Sequence, residues 1–383
     1  MALQGSSSEW ARIANTTIPK YLKGWENEIA RSRATFALMK KNGTIKYNCS
    51  GDGIKWNVRY KRNTMLINDG EQALETSRVN RTQNAALDMV GYAIAESYTK
   101  REKVKNRGPE AIAAAIAETM THARQDLEDQ FTEEFYVDSS ATGNSGRMTG
   151  LESMFAATQT ITVSSGAARS ANAADPTFYP NDTYAGLSTI LGNYNGSWNT
   201  STNIHSTWPY GKGNPQYDFW SPVIVNYEST AFDGSSTTFG ANCVLATRFG
   251  IEAVNGRNMG SYGQLDTIIY DRGLFRLYKD KLDSKERINI SSSNPLKSLG
   301  FLDTIEQDGV TIVAGEYGMP SGVGYGLNMK AVELWSWQPQ LFNLDENAPE
   351  WDLHTRSWKF VIDFLGQWRF LSPRMCVKFR AQS

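Results

Sequence analysis

The sequence predicts an α+β protein built around one long helix, and three observations carry that expectation. Apolar residues recur at steps of three and four from Pro109 to Tyr136, and runs of alternating apolar and polar residues lie on either side of that stretch. Between the helix and the closing strands lies a long section rich in Ser, Thr, Asn, Gly and Tyr. A helix of this length at about 1.5 Å per residue spans roughly 40 Å. It reads as a beam in an assembly rather than as the wall of a catalytic core.

Residues 1–37 hold short polar and basic clusters around the isolated aromatics Trp10, Tyr21, Trp25 and Phe36. These are too sparse for an independent core, so the segment reads as an arm that packs on something else. Within residues 38–107, Trp56, Val58 and Tyr60 alternate with Lys55, Asn57, Arg59 and Lys61, the period of a half-buried strand. After the turn signal Asn68-Asp69-Gly70, Ala85, Leu87 and Met89 alternate, and Val90, Tyr92 and Ile94 then alternate in the opposite phase. That phase change predicts a bulge near residues 89–91 in a long hairpin.

Residues 108–150 hold the helix and its exit. Pro109 suits a first turn, Glu110 sits at the positive end of the dipole, and Ile112, Ile116, Met120, Ala123, Leu127, Phe131 and Phe135 form one stripe. Glu118, Arg124, Gln125, Glu128, Asp129 and Glu133 fall largely outside it. The helix runs into Ala141-Thr-Gly-Asn-Ser-Gly-Arg-Met-Thr-Gly-Leu151. The Gly143 to Gly150 stretch reads as a structural turn rather than a phosphate loop.

In residues 151–325, structured loops cover 158–236, followed by a helix at 239–258, a buried strand at 265–270 and a helix at 272–287, a small α/β sandwich. Residues 326–383 return to strands: 332–337, then 358–364, then 368–379 about the Pro373 break.

Composition excludes several classes. The 383 residues carry 39 basic and 40 acidic side chains, a net charge of -1, which does not make a polyelectrolyte clamp for nucleic acid. Cys49, Cys243 and Cys376 are few, odd in number and far apart, as expected for reduced structural thiols in a protein that folds in a reducing cytoplasm. No apolar run approaches the about 20 residues of a membrane span, and the N-terminus lacks a signal peptide, so a soluble chain with no membrane partner is expected. The Asn-X-Ser/Thr triplets at Asn195, Asn199 and Asn289 are accordingly chance matches.

The sequence offers little chemistry. His122, His205 and His354 have no second ligand at metal spacing, so neither a metal nor a cofactor is expected. Ser321 lacks the glycine of a nucleophile elbow, and Glu133-Glu134 and Asp345-Glu346 are adjacent pairs whose side chains diverge instead of facing across a substrate. No enzyme is expected. One alternative is a carbohydrate-binding or glycan-degrading β-rich protein, because Tyr179, Tyr184, Tyr194, Trp198, Trp208, Tyr210, Tyr217, Phe219 and Trp220 sit among Asn, Ser and Gly. That reading requires an exposed aromatic row; small cores beneath long loops are the simpler use of the same residues.

The order of parts resembles the major capsid protein of tailed bacteriophages with the HK97-type fold. The resemblance spans nearly the whole chain, and its local signatures are the exit loop 141–151, the block Leu265-Asp-Thr-Ile-Ile-Tyr-Asp-Arg-Gly-Leu-Phe275 and the Arg-Phe-Leu-Ser-Pro-Arg374 run. It implies an N-terminal arm (1–37), an E-loop hairpin with adjoining P-domain strands (38–107), a spine helix and exit loop (108–150), an A-domain (151–325) and strands returning to the P-domain (326–383). It further implies a shell of pentamers and hexamers enclosing packaged double-stranded DNA, which is contacted non-specifically. The virion capsid would be assembled in the host bacterial cytoplasm.

A portal protein and a decoration protein join the implied partners. A separate scaffolding protein is expected, because the arm reaches the E-loop within a few dozen residues of Met1. On this reading Lys55, Trp56, Val58, Arg59, Tyr60, Lys61 and Arg62 of the hairpin, with Trp10, Tyr21 and Trp25 of the arm, contact neighbouring subunits. Their aromatics would be completed by those neighbours, and the basic hairpin edge would meet acidic residues of an adjacent subunit.

Overall fold

The computed structural model describes residue 25 and residues 28–30, 32–61, 70, 79–101, 109–162, 168–170, 175–194, 208–209, 215–234, 237–257, 263–283, 304–345 and 350–382, with only the backbone given for 109–116, 160–162 and 168–170. In chain order, helix α1 (Ala34–Asn42) precedes β1 (Ile45–Lys46), β2 (Gly53–Arg59), β3 (Thr82–Asp88), β4 (Val90–Thr99) and the long helix α2 (Pro109–Tyr136). Then come β5 (Ala157–Thr158), β6 (Thr177–Pro180), β7 (Val223–Asn226), α3 (Phe239–Arg257), β8 (Thr267–Tyr270), α4 (Arg272–Asp283), β9 (Thr304–Gln307), β10 (Val310–Ala314) and β11 (Gly324–Leu327). The chain closes with β12 (Val332–Ser336), β13 (Asn343–Leu344), β14 (Glu350–Asp352), β15 (Ser357–Phe370) and β16 (Val377–Arg380).

Two sheets organise the molecule. The first is six-stranded and centres on the 14-residue β15, which runs antiparallel to β4 from Ser357↔Thr99 to Gly366↔Val90. The other edge of β15 pairs successively with β14, β13 and β12, and β12 adds β1 in parallel. Helix α2 lies across this sheet. Its stripe Met120, Ala123, Leu127, Phe131 and Phe135 is buried, as the period of the sequence requires. Phe131 packs against Phe364 and Trp368 at ring-centroid distances of 5.2 and 5.1 Å.

The second sheet is eight-stranded, in the order β9-β10-β8-β11-β16-β7-β6-β5. Strands β8 and β10 are parallel, as are β7 and β16, and α3 and α4 cover the sheet over a separate apolar cluster containing Val254, Ile268, Tyr270 and Phe379. Helix α3 is described to Arg257 and α4 to Asp283; the expected ends at 258 and 287 lie outside the described residues.

Three expectations are corrected. The run from Ala85 to Ile94 is not one bulged hairpin strand. β3 pairs with β2, the chain breaks at Met89, and β4 leaves the hairpin for the six-stranded sheet. The reversal of phase marks a change of sheet. Next, the strands expected at 358–364 and 368–379 regroup as one strand to Phe370 followed by β16. Gly366, Gln367 and Trp368 are all buried, so no alternation advertises the strand there. Finally, the closing strands do not all return to the six-stranded sheet: β16 lies between β7 and β11 inside the eight-stranded sheet, and Val377 and Phe379 complete the apolar cluster beneath α3.

Candidate functional site

The most elaborate polar construction lies where the long helix ends. Glu134, buried in the last turn of α2, accepts the Tyr92 hydroxyl at 2.6 Å and two guanidinium nitrogens of Arg147, Nε at 2.8 Å and Nη2 at 2.6 Å. The Tyr92 oxygen in turn accepts the Met148 N–H at 2.7 Å. One carboxylate therefore ties together β4, α2 and the exit loop. Burial and the neighbouring Glu134 hold the Tyr92 phenol well above its ordinary pKa, so it remains a donor.

Gln367 of β15 adds a second tie, donating to the Asp88 carbonyl and accepting the Thr149 N–H, both at 2.9 Å. Gly150 closes the loop against the helix end, where a Cβ would sit 2.5 Å from the carbonyl oxygens of Glu134 and Val137. The loop of residues 143–150 is thus a built structural turn. A cavity of about 240 Å³ lies beside it, lined by Tyr92, Ile94, Phe131, Glu134, Arg147 and Phe364 among others.

The arm is strapped along the polar edge of α2. Arg33 pairs with Glu128 at 3.3 Å and with Asp129 at 2.6 Å, and Arg124 pairs with Glu28. Thr35 donates its N–H and hydroxyl to the Glu316 carboxylate at 2.8 and 2.6 Å, and burial pushes that carboxyl group up from its ordinary pKa. Trp25 is only 3% exposed and packs 6.2 Å from Phe342. Trp10 and Tyr21 lie outside the described residues.

The hairpin β2–β3 shows the expected alternation. Lys55, Asn57 and Arg59 are exposed, while Trp56, Val58, Tyr60 and Lys61 are half-buried. Arg62 and the tip at 62–69 lie outside the described residues. The expectation that neighbouring subunits complete these aromatics is corrected in part, for Trp25, Trp56 and Tyr60, which find partners in their own chain. Trp56 packs 6.4 Å from Trp220, and Tyr60 packs 5.8 Å from Phe219 and 6.3 Å from Tyr194, all in the same chain. These partners lie more than 130 residues away in sequence, a separation that leaves no local signal.

The described aromatics of the middle section form cores, not a stacking surface. Tyr179, Tyr184, Trp208, Tyr217, Phe219 and Trp220 are each under 5% exposed, and Tyr194 is partly buried against Phe219; Trp198 and Tyr210 lie outside the described residues. Deeper in the same region Arg257 and Arg374 converge on the buried Asp218, at 3.5 and 3.8 Å, with Trp208 stacked on Arg257 at 4.8 Å. Burial lowers the Arg257 pKa to about 10, still far above neutrality, so it stays charged.

Among the described residues no group of His, Cys, Asp and Glu is arranged to hold a metal ion, and no helix is long and apolar enough to cross a membrane. Cys49, Cys243 and Cys376 form no disulfide, and burial pushes the Cys376 thiol up to about 12. Ser321 donates to Asp271 at 3.3 Å within a loop closed by the Gly322 N–H, so it serves the turn before α4.

No family model matches the chain, and no curated protein matches it in sequence. Solved structures do. The cyanophage A-1(L) capsid asymmetric unit is similar at 13% identity over 90% of this chain and 92% of that chain, with a TM-score of 0.53. The capsid of a native GTA particle is similar at 9% identity over 92% of this chain and 91% of that one, with a TM-score of 0.50. At these identities the likeness is one of fold.

Proposed function

We propose that this chain, which has the HK97-type capsid fold, is the major capsid protein of a tailed bacteriophage and self-assembles into the icosahedral shell enclosing packaged double-stranded DNA. The observation that carries the reading is the match of about nine-tenths of both chains to capsid subunits, with the 28-residue helix as the spine. The saccharide-binding alternative loses its basis, because the described aromatics it would use are buried.

In this role α2 and the six-stranded sheet form the P-domain, and the eight-stranded sheet with α3 and α4 forms the A-domain near the axes of pentamers and hexamers. The hairpin is the E-loop. Its exposed basic side chains Lys55 and Arg59, with Lys61 and Arg62 beyond, meet acidic residues of an adjacent subunit, while Trp10 and Tyr21 of the arm extend to neighbours. Trp25, already buried in its own chain, anchors the arm where it meets the subunit.

A net charge of -1 suits a container that touches DNA without gripping it. A separate scaffolding protein, a portal and a decoration protein complete the partners, and assembly takes place in the host bacterial cytoplasm before the subunit becomes part of the virion. Electron microscopy of the purified chain, alone and with its scaffold, tests the proposal: closed shells or ring-shaped capsomers support it, and a chain that stays monomeric under all conditions refutes it.

A further inference from the structure

The hairpin is held to its own subunit by a compact dock. Trp56 lies between the Trp220 ring, 6.4 Å away, and the guanidinium of Arg369, 5.4 Å from its ring centre, and its indole N–H donates to the Leu371 carbonyl at 3.2 Å. Arg369 is fixed from the sheet side by Glu333 at 2.7 Å and also stacks on Trp335 at 5.0 Å. Farther along the hairpin, Tyr60 rests on Phe219 and Tyr194. A backbone bond from the Ala86 N–H to the Ala185 carbonyl, at 3.0 Å, joins the ribbon to the body of the chain.

Both legs of the hairpin turn where they leave that body. Before β2, Asn48 and Gly51 have φ of 53° and 103°; after β3, the strand breaks at Met89. β2 and β3 form a two-stranded sheet of their own, an arrangement of marginal stability in isolation. Beyond the base, where Ile54 and Leu87 are buried opposite each other, the position of the hairpin rests on the dock. The dock is also incomplete as a burial site: Trp56, Val58 and Tyr60 remain half-exposed, and Lys55 and Arg59 face outward.

We propose that this self-docking is an autoinhibitory contact: in the free subunit the hairpin shelters its aromatic face against its own chain, and assembly draws its outer part off the dock, beyond the buried pair Ile54 and Leu87, to offer that face to a second copy. The inference rests on the shell-forming role proposed above. Closed subunits do not join, so the concentration at which assembly begins rises as the open fraction falls. Weakening the dock from the body side enlarges the open fraction and leaves the hairpin's own face intact. Removing the anchor from the hairpin side opens it as well, but destroys what it offers.

The test uses the full-length chain and three substitutions. Arg369→Met removes the cation beneath Trp56 and leaves Glu333 paired with Lys46, which lies 3.0 Å from it. Tyr194→Ala loosens the far end of the dock, away from the six-stranded sheet, in case Arg369→Met perturbs that sheet. Trp56→Ala removes the hairpin anchor.

Hydrogen exchange of unassembled Arg369→Met and Tyr194→Ala should quicken about tenfold in 55–59 and 82–86, the scale of one lost ring or cation contact, with 90–99 unchanged. Light scattering should show assembly beginning at a several-fold lower concentration for both variants and a higher one for Trp56→Ala. Unchanged hairpin exchange, equal acceleration in 90–99, or an onset that stays or rises in both body-side variants overturns the inference while leaving the shell role intact. A wild-type chain that never assembles overturns both.

Discussion

Replacing Glu134 with alanine removes the single carboxylate that joins β4, the end of α2 and the exit loop. It strips Tyr92 of its acceptor at 2.6 Å and Arg147 of contacts at 2.8 and 2.6 Å. Hydrogen bonds to a charged group contribute about 1.5–3 kcal/mol each. The Arg147 side chain is 31% exposed and keeps Glu133 at 3.4 Å, so its share falls at the low end of that range. A loss of about 3–4 kcal/mol is expected overall.

With an unfolding entropy of roughly 2.1 cal/mol/K per residue, that is a fall of only about 4 °C in Tm for a chain this long. Urea midpoints and hydrogen exchange across residues 137–150 are therefore the better assays. The double variant Glu134→Ala/Arg147→Ala should recover at least about 1 kcal/mol relative to the sum of the single changes, because each single change already removes the same Arg147–Glu134 contacts. A single-variant loss below about 0.5 kcal/mol, or strict additivity, refutes the assignment of this carboxylate as the clamp of the exit loop.

Gly150→Ala places a methyl group 2.5 Å from two helix-end carbonyl oxygens and should cost about 2–3 kcal/mol in urea unfolding; a neutral result means the loop can move aside without penalty. Burial raises the Asp182 carboxyl to about pH 6, above its unfolded value near 4, so the folded state holds the extra proton and stability declines as pH rises from about 4 through 6. Asp182→Asn should flatten that part of the pH–stability curve, and an unchanged slope shows that Asp182 does not carry it. Reversing the charge of Arg59 together with Lys61 should impair shell formation in sedimentation while leaving circular dichroism and Tm unchanged; normal shells exclude the basic hairpin edge from subunit contact.

The parts legible in the sequence are those whose physics is local. The buried stripe from Met120 to Phe135, the alternation through Trp56 and Tyr60, and helix α3 each announce their period within a few residues. The phase reversal at Met89 was visible too, yet its meaning as a change of sheet depends on β15, more than 260 residues later.

Contacts across the fold left no such trace. Trp25 looked like an unpartnered arm aromatic because its partner Phe342 is more than 300 residues away, and Trp56 because its indole N–H reaches the Leu371 carbonyl. Gln367, which ties the hairpin base to the exit loop, is one of several polar residues along β15, and periodicity gives no reason to single it out. Strand β16 was misplaced because Val377 and Phe379 read equally well against either sheet until the register with β7 and β11 is known.

The most direct measurement is negative-stain electron microscopy of the purified full-length chain, with and without its scaffold. The account predicts closed icosahedral shells, or pentameric and hexameric rings that close when scaffold is added. A preparation that remains a monodisperse monomer of 42.7 kDa under every condition contradicts it.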